Sequence, residues 1–143
     1  MLSPPERAYS TASRAANNLT LAGQSYATRA DAEFYFTQAE AVELTRNYVG
    51  AASPKHPSAS PLHAGLNGLP PVRVHVGDAE VLLDDSRRYV ERAVAAGVDA
   101  KLDVWMGMPH GFALNIGVFN ASKLALEACA AFFTQRFELT ADQ

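Results

Sequence analysis

The feature that most constrains this chain is a strand, a helix and a second strand that follow one another. The residues VRVHV at 72–76 are β-branched at alternate positions and lie between two prolines and Gly77, as is typical of a strand. Residues 84–96 have the apolar periodicity of an amphipathic helix, and KLDVW at 101–105 predicts another strand. Strands joined through one helix run parallel in one sheet, with a right-handed crossover. The chain is therefore predicted to have an α/β fold.

Two more helices are expected to flank this unit. Residues 37–49 begin with Thr37 and Glu40, which are spaced as a capping box. The apolar stripe expected on this helix consists of Ala41, Leu44, Tyr48 and Val49. A last helix at 122–137 follows Asn120, whose side chain can cap its start.

The predicted sheet has few strands. A third strand is expected near Asn18–Ala22, whereas a typical sheet has about five or six. Residues 1–18 are expected to be a loop or poorly ordered. Residues 51–71 hold five of the eight prolines, so they form a Pro/Gly-rich connection rather than a regular helix or a central strand. The chain is therefore expected to be a single, incomplete domain over residues 1–143.

Composition argues against several classes of function. The net charge of −3 disfavours nucleic-acid binding, because such domains normally show a basic patch. There is no apolar run of the roughly 18 residues that span a membrane and no signal peptide, so a cytoplasmic protein is expected. The single cysteine, Cys129, excludes a disulfide framework and is expected to be a buried packing residue. Since His56, His63 and His75 lack metal-ligand spacing, neither a metal nor a cofactor is expected.

Reactive side chains collect in the two loops that follow the predicted strands. The second loop, MGMPHGF at 106–112, contains His110. The first loop, at 77–85, carries the carboxylates Asp78, Glu80, Asp84 and Asp85. The last two of these complement the dipole of the helix that follows, which is enough to explain them. In open parallel sheets, catalytic groups lie beyond the carboxyl ends of the strands, and a carboxylate and a histidine there are the acid and base of a catalytic triad.

A specific resemblance lies in the block from Gly77 to Phe112, in LTLAGQSYATRADAEF at 19–34 and in the rest of segment 60–112. These stretches, and more weakly the final helix, resemble the C-terminal part of α/β-hydrolases of the hormone-sensitive-lipase-like carboxylesterase family. The resemblance implies a partial α/β-hydrolase fold. It would consist of the C-terminal parallel strands with flanking helices, and the N-terminal half of the sheet would be missing.

The resemblance also implies roles for two loop residues. In the family the base lies in a loop resembling GMPHGF, and His110 matches it directly. Glu80 falls at the acid position and precedes His110 by 30 residues, the separation that the family favours. Asp78 is the alternative acid. The acid would hold the imidazole tautomer and stabilise the imidazolium that forms during acyl transfer.

The family's nucleophile motifs are not found in these 143 residues. A G-x-S-x-G turn and an HGGG-type oxyanion loop belong to the family's N-terminal half, so the chain is expected to begin after that half. The segment GQSYA at 23–27 is similar to such a turn, and the order Ser25, Glu80, His110 follows the family's order. A nucleophile turn needs a buried strand before it and a helix straight after it. Neither is convincing here, which argues against Ser25 as the nucleophile.

The resemblance thus implies a carboxylic-ester hydrolase of which this chain supplies the acid and the base, with a small-molecule ester as substrate once the site is completed. The alternative is a non-catalytic interaction module or a split-enzyme subunit, completed by a complementary N-terminal chain or by a homo-oligomer. A third hypothesis is an enzyme that uses Ser25 on its own. The aromatic residues that are candidates for an acyl pocket, though packing is expected of most, are Phe34, Tyr35, Phe36 and Phe112.

Overall fold

The structure, a computed structural model, describes residues 10–12, 18–35 and 37–141. Its strands are β1 (Ser10–Ala12), β2 (Val72–Gly77) and β3 (Ala100–Trp105). Its α-helices are α1 (Ser25–Thr28), α2 (Gln38–Val49), α3 (Leu83–Ala95) and α4 (Asn120–Ala141). Short 3₁₀ turns lie at Ala30–Ala32, Pro61–His63 and Phe112–Leu114. The described strands form one parallel sheet in the order β1-β2-β3, so the α/β class is confirmed.

The predicted strand-helix-strand unit is present and forms the centre of the fold. β2 and β3 pair in parallel from Val72 opposite Ala100 to Gly77 opposite Trp105. The core that joins this sheet to α3 is made of the buried side chains of Leu66, Val72, Val74, Val90, Ala93 and Val98. Because both strands end at the same edge of the sheet, the loops that follow them are neighbours.

The third strand is not where the sequence predicts it. It lies at Ser10–Ala12, within the stretch expected to be a loop, and it pairs with β2. The rest of 1–17 lies outside the described residues. Asn18–Ala22 is not a strand, because the Asn18 side chain accepts the backbone N–H of Thr20 at 3.2 Å and turns the chain. Leu21 then adopts a φ of 52°, which a strand does not contain.

The helix α2 begins with the predicted capping box, in which Thr37 accepts the backbone N–H of Glu40 and Glu40 accepts that of Thr37. Its apolar stripe, however, does not pack into the described core. Only Ala41 of the stripe is buried, while Leu44 is 63% exposed and Tyr48 is exposed as well. Helical periodicity shows that these residues share a face but not that the face is covered.

The helix α4 packs against the sheet at β2 and β3. Its Phe132 is buried under the guanidinium of Arg73 at 4.8 Å, and Arg136 forms an ion pair with Asp99. Asp99 also accepts Arg73 at 3.1 Å, so this carboxylate connects α4 to the start of the strands. None of the described helices, α4 included, combines the length and the hydropathy that crossing a bilayer requires.

The different burial of two leucines gives a test of this packing. Leu62, within the 51–71 connection, is 1% exposed, whereas Leu44 on α2 is mostly exposed. Leu62→Ala is expected to lower the free energy of unfolding by about 2–5 kcal/mol, because it removes buried methyl groups and leaves a cavity. Leu44→Ala is expected to change it by no more than about 0.5 kcal/mol. Urea unfolding followed by circular dichroism measures both, and equal losses would contradict the described packing.

Candidate active site

The loops after β2 and β3 are joined by backbone hydrogen bonds. The Asp78 N–H donates to the Trp105 carbonyl at 3.0 Å, and the Ala79 N–H donates to the Met108 carbonyl at 3.3 Å. In return, the Gly107 N–H donates to Asp78 Oδ1 at 2.6 Å. The two loops therefore form one hydrogen-bonded unit beyond the carboxyl ends of the strands, where ligands and catalytic groups collect in sheets of this kind.

This unit requires a glycine at the end of β2. A Cβ placed on Gly77 would lie 1.9 Å from the carbonyl oxygen of Met108, which no side chain can tolerate. The backbone of the second loop therefore rests directly on the first. This close contact sets the distance at which residues 78–80 face residues 108–110.

Glu80 and His110 meet inside this unit. The distance between Glu80 Oε2 and His110 Nδ1 is 2.8 Å, and the two residues are only 3% and 5% exposed. The Gly77 N–H donates to the other carboxylate oxygen at 3.3 Å. A carboxylate at this position accepts the Nδ1 proton, which fixes the imidazole tautomer and the plane of the ring. Burial strengthens the pairing, because water does not screen it.

Asp78, the alternative acid, has a different environment. Its carboxylate accepts the Gly107 N–H and its own N–H donates to the Trp105 carbonyl, so it fastens the first loop to the second loop and to the end of β3. Of the two candidate acids, the structure therefore brings Glu80 to the histidine and uses Asp78 as a connector.

Ser25 lies at the start of the four-residue helix α1 and is buried. Its hydroxyl donates to the Val81 carbonyl at 2.5 Å and accepts the Asp84 N–H at 3.1 Å. Residues 21–23 before it have no strand structure. The strand that a nucleophile turn needs is thus missing from the described residues next to Ser25, and its hydroxyl is bonded to the first turn of α3.

Sequence reasoning missed a buried polar cluster at the same turn. Asp85, with 0% exposure, accepts the Asn18 side-chain amide at 2.9 Å and the Tyr26 hydroxyl at 3.2 Å, and it lies 3.5 Å from Arg88. Burial raises the pKa of Asp85, and burial together with Asp85 raises the pKa of Tyr26. The helix dipole alone does not explain this aspartate. No local pattern reveals the pairing, because Asn18 lies 67 positions away in the chain.

The other histidines and the cysteine do not form a metal site. His75 is buried in β2 and accepts the Trp105 indole N–H at 3.1 Å, while His63 contacts Asn18 at 3.3 Å. Within the described ranges, no three His, Cys, Asp or Glu residues are grouped so that they could hold a metal ion. Cys129 is partly buried, where a buried packing residue was expected, because its position on α4 leaves it incompletely covered by the described residues.

The aromatic candidates separate into different environments. The ring of Tyr35 meets the His110 ring edge to face, with centroids 6.0 Å apart. Phe34 is exposed, whereas Phe112 is buried against Trp105 and belongs to the core. Phe36 lies outside the described residues. A groove of about 300 Å³ beside Tyr35 is mainly polar, being lined also by Glu40, Glu43, Leu44 and Asn47.

Comparisons with known proteins show which family this chain resembles. A family described as having the alpha/beta hydrolase fold matches residues 4–114. An acetyl-hydrolase of Streptomyces hygroscopicus is 34% identical over 115 residues, which is 80% of this chain and 38% of that protein. The crystal structure of a hormone-sensitive lipase from a metagenome library superposes with a TM-score of 0.80 at 37% identity, over 83% of this chain and 41% of that one. The chain thus spans well under half the length of these relatives.

An esterase from the bacterial hormone-sensitive lipase family is also similar, with a TM-score of 0.78 and 38% identity. The alignment covers 80% of this chain and 39% of that esterase. Identities of this size over most of the chain support a shared family and not only a shared architecture.

The buried His75 predicts a pH dependence of stability. Burial lowers the pKa of His75 below its ordinary 6.5, so the unfolded chain takes up a proton at a higher pH than the folded chain. Stability conferred by the neutral ring is present above about pH 6.5 and is lost as the pH falls below that value. The variant His75→Asn, which keeps an acceptor for Trp105, is expected to lose this dependence.

Urea unfolding of both proteins between pH 7.5 and 5.5 measures the effect. Taking the difference between them cancels the contributions of other groups, including Asp85. A difference that does not change with pH would contradict the described environment of His75.

Proposed function

The chain belongs to the α/β-hydrolase family, and from this premise we propose that it supplies the acid and the base of a carboxylic-ester hydrolase. Glu80 is the acid and His110 is the base. The observation that carries the proposal is the buried 2.8 Å contact between them at the carboxyl ends of two parallel strands. The similarity to an acetyl-hydrolase and to esterases supports carboxylic esters as the substrate class.

In this proposal a serine hydroxyl attacks the ester carbonyl, and Nε2 of His110 takes the serine proton. The tetrahedral intermediate collapses to an acyl-enzyme, and the leaving alkoxide takes the same proton from the imidazolium. Water then attacks the acyl-enzyme, with His110 again accepting a proton and returning it to the serine. No metal or cofactor takes part in these steps.

Glu80 acts through its contact with Nδ1. A negative charge 2.8 Å from this nitrogen stabilises the imidazolium that forms when Nε2 accepts the proton. The Gly77 N–H donates to the second carboxylate oxygen, which restricts the orientation of the carboxylate. A glutamate fills this role as an aspartate does.

The nucleophile and the oxyanion donors come from outside these 143 residues, which contain neither a G-x-S-x-G turn nor an HGGG-type loop. Exposed apolar side chains beside the site support the view that another segment or chain covers it. Met106 is 77% exposed and Ile116 is 67% exposed, both in the region that follows β3. Surfaces of this kind are typical of interfaces, which also supports the alternative of a subunit that acts by association.

The assignment of the acid is tested in a completed enzyme. The part of the Streptomyces acetyl-hydrolase that this chain does not match is joined to it, either by fusion or as a separate co-expressed chain. Hydrolysis of p-nitrophenyl acetate is then measured. Glu80→Gln is expected to lower kcat by about 10³- to 10⁴-fold, as loss of the triad carboxylate does elsewhere. Asp78→Asn, the matched control, is expected to retain most of the activity.

If Asp78→Asn abolishes turnover and Glu80→Gln does not, the assignment of the acid is wrong. The proposed function itself fails if neither the fused nor the co-expressed form of the unmodified chain hydrolyses the ester although the chain is folded and His110 contacts Glu80.

A further inference from the structure

The function proposed above leaves Ser25 without a role, although its environment is highly organised. The hydroxyl is buried and has both a hydrogen-bond acceptor, the Val81 carbonyl, and a donor, the Asp84 N–H. The Ser25 backbone N–H also donates to Asp84 Oδ2 at 2.8 Å. Three hydrogen bonds thus join this residue to a turn 56 to 59 positions further along the chain.

That turn carries the proposed acid. Val81 is the residue directly after Glu80, so the peptide that Ser25 holds is the next one along the backbone. The side chains of Val81 and Leu82 are buried against Leu21 and Tyr26. The segment 18–26 therefore supports the turn in two ways. Its apolar side chains pack against those of the turn, and the Ser25 hydroxyl is hydrogen-bonded to the backbone of the turn.

A second connection holds the same segment in place without Ser25. Asn18 and Tyr26, at the two ends of the segment, both donate to the buried carboxylate of Asp85. Losing the Ser25 hydroxyl therefore leaves the segment attached to α3. What is lost is the direct hydrogen bond to the carbonyl of Val81, the residue after Glu80.

We propose that Ser25 is a positioning residue for Glu80, which it holds at hydrogen-bonding distance from His110 through the Val81 carbonyl. This inference rests on the proposed function, since it assigns Ser25 to the same acid–base pair. The hydroxyl that looks like a nucleophile in the sequence binds the backbone of the residue after the acid and does not react with the ester.

A spectroscopic readout separates positioning from a general effect on the fold. In ¹H–¹⁵N spectra, an imidazole N–H is visible only where a hydrogen bond slows its exchange with water. The full 143-residue chain is expected to show a signal from the Nδ1–H of His110. Its absence from the spectrum of His110→Gln identifies this signal, and Glu80→Gln is expected to lose it. Ser25→Ala is expected to weaken this signal severalfold, and Ser25→Thr, which keeps the hydroxyl, is expected to restore it.

Ser60→Ala is the matched control. Ser60 is also a buried serine that donates to a backbone carbonyl, of Pro54 at 2.6 Å, and accepts a backbone N–H, of Leu19 at 2.7 Å. Both of these hydrogen bonds go to residues outside the turn of Glu80. Ser60→Ala is expected to cost stability while leaving the His110 signal unchanged.

The signal at full strength in a folded Ser25→Ala chain would overturn the inference, and so would equal weakening in Ser60→Ala. If Ser25→Ala does not fold, Asp84→Asn is the second variant, because it weakens the hydrogen bond between the Ser25 N–H and the Asp84 side chain. The same His110 signal is then measured. A signal that persists in Glu80→Gln would overturn the proposed acid–base pair and this inference with it. An unchanged signal in Ser25→Ala, with loss in Glu80→Gln, overturns only the inference.

Discussion

The candidate site depends on the close approach of two backbone segments, Gly77 at the end of β2 and Met108 in the loop after β3. Any side chain at position 77 would collide with the Met108 carbonyl, so the two loops can meet only because this residue is glycine. The contact brings the loops close enough for Asp78 to bind Gly107 and for Glu80 to reach His110. The parallel pairing of β2 and β3 supplies the common edge, and the glycine sets the separation across it.

Four carboxylates within eight residues have distinct roles around this contact. They are Asp78, Glu80, Asp84 and Asp85. The first fastens the two loops together, and the second faces the histidine. The last two hold segment 18–26 against the first turn of α3. Like charges so close together are tolerated because each binds a different set of donors, which are backbone N–H groups, an imidazole, an amide, a hydroxyl and arginines.

Local signals in the sequence were enough for the centre of the fold. Alternating β-branched residues predicted β2, and the spacing of Thr37 and Glu40 predicted the capping box. The proximity of Glu80 and His110 followed from their places after neighbouring parallel strands and from the family pattern. Long-range partners decided the rest. The strand at Ser10–Ala12 and the contacts of Ser25 depend on residues far along the chain. The exposure of the α2 stripe depends on whether another surface covers it. Periodicity specifies neither.

We propose that this chain carries the acid and the base of an ester hydrolase but not its nucleophile. The most direct measurement is reaction of the purified 143-residue chain with a fluorophosphonate serine probe, read by intact mass and peptide mapping, with circular dichroism to verify folding. We expect a folded chain without an adduct on Ser25, because that hydroxyl is hydrogen-bonded to the Val81 carbonyl and the Asp84 N–H. A single adduct on Ser25 that disappears in His110→Ala would contradict it, since the chain would then carry a complete triad.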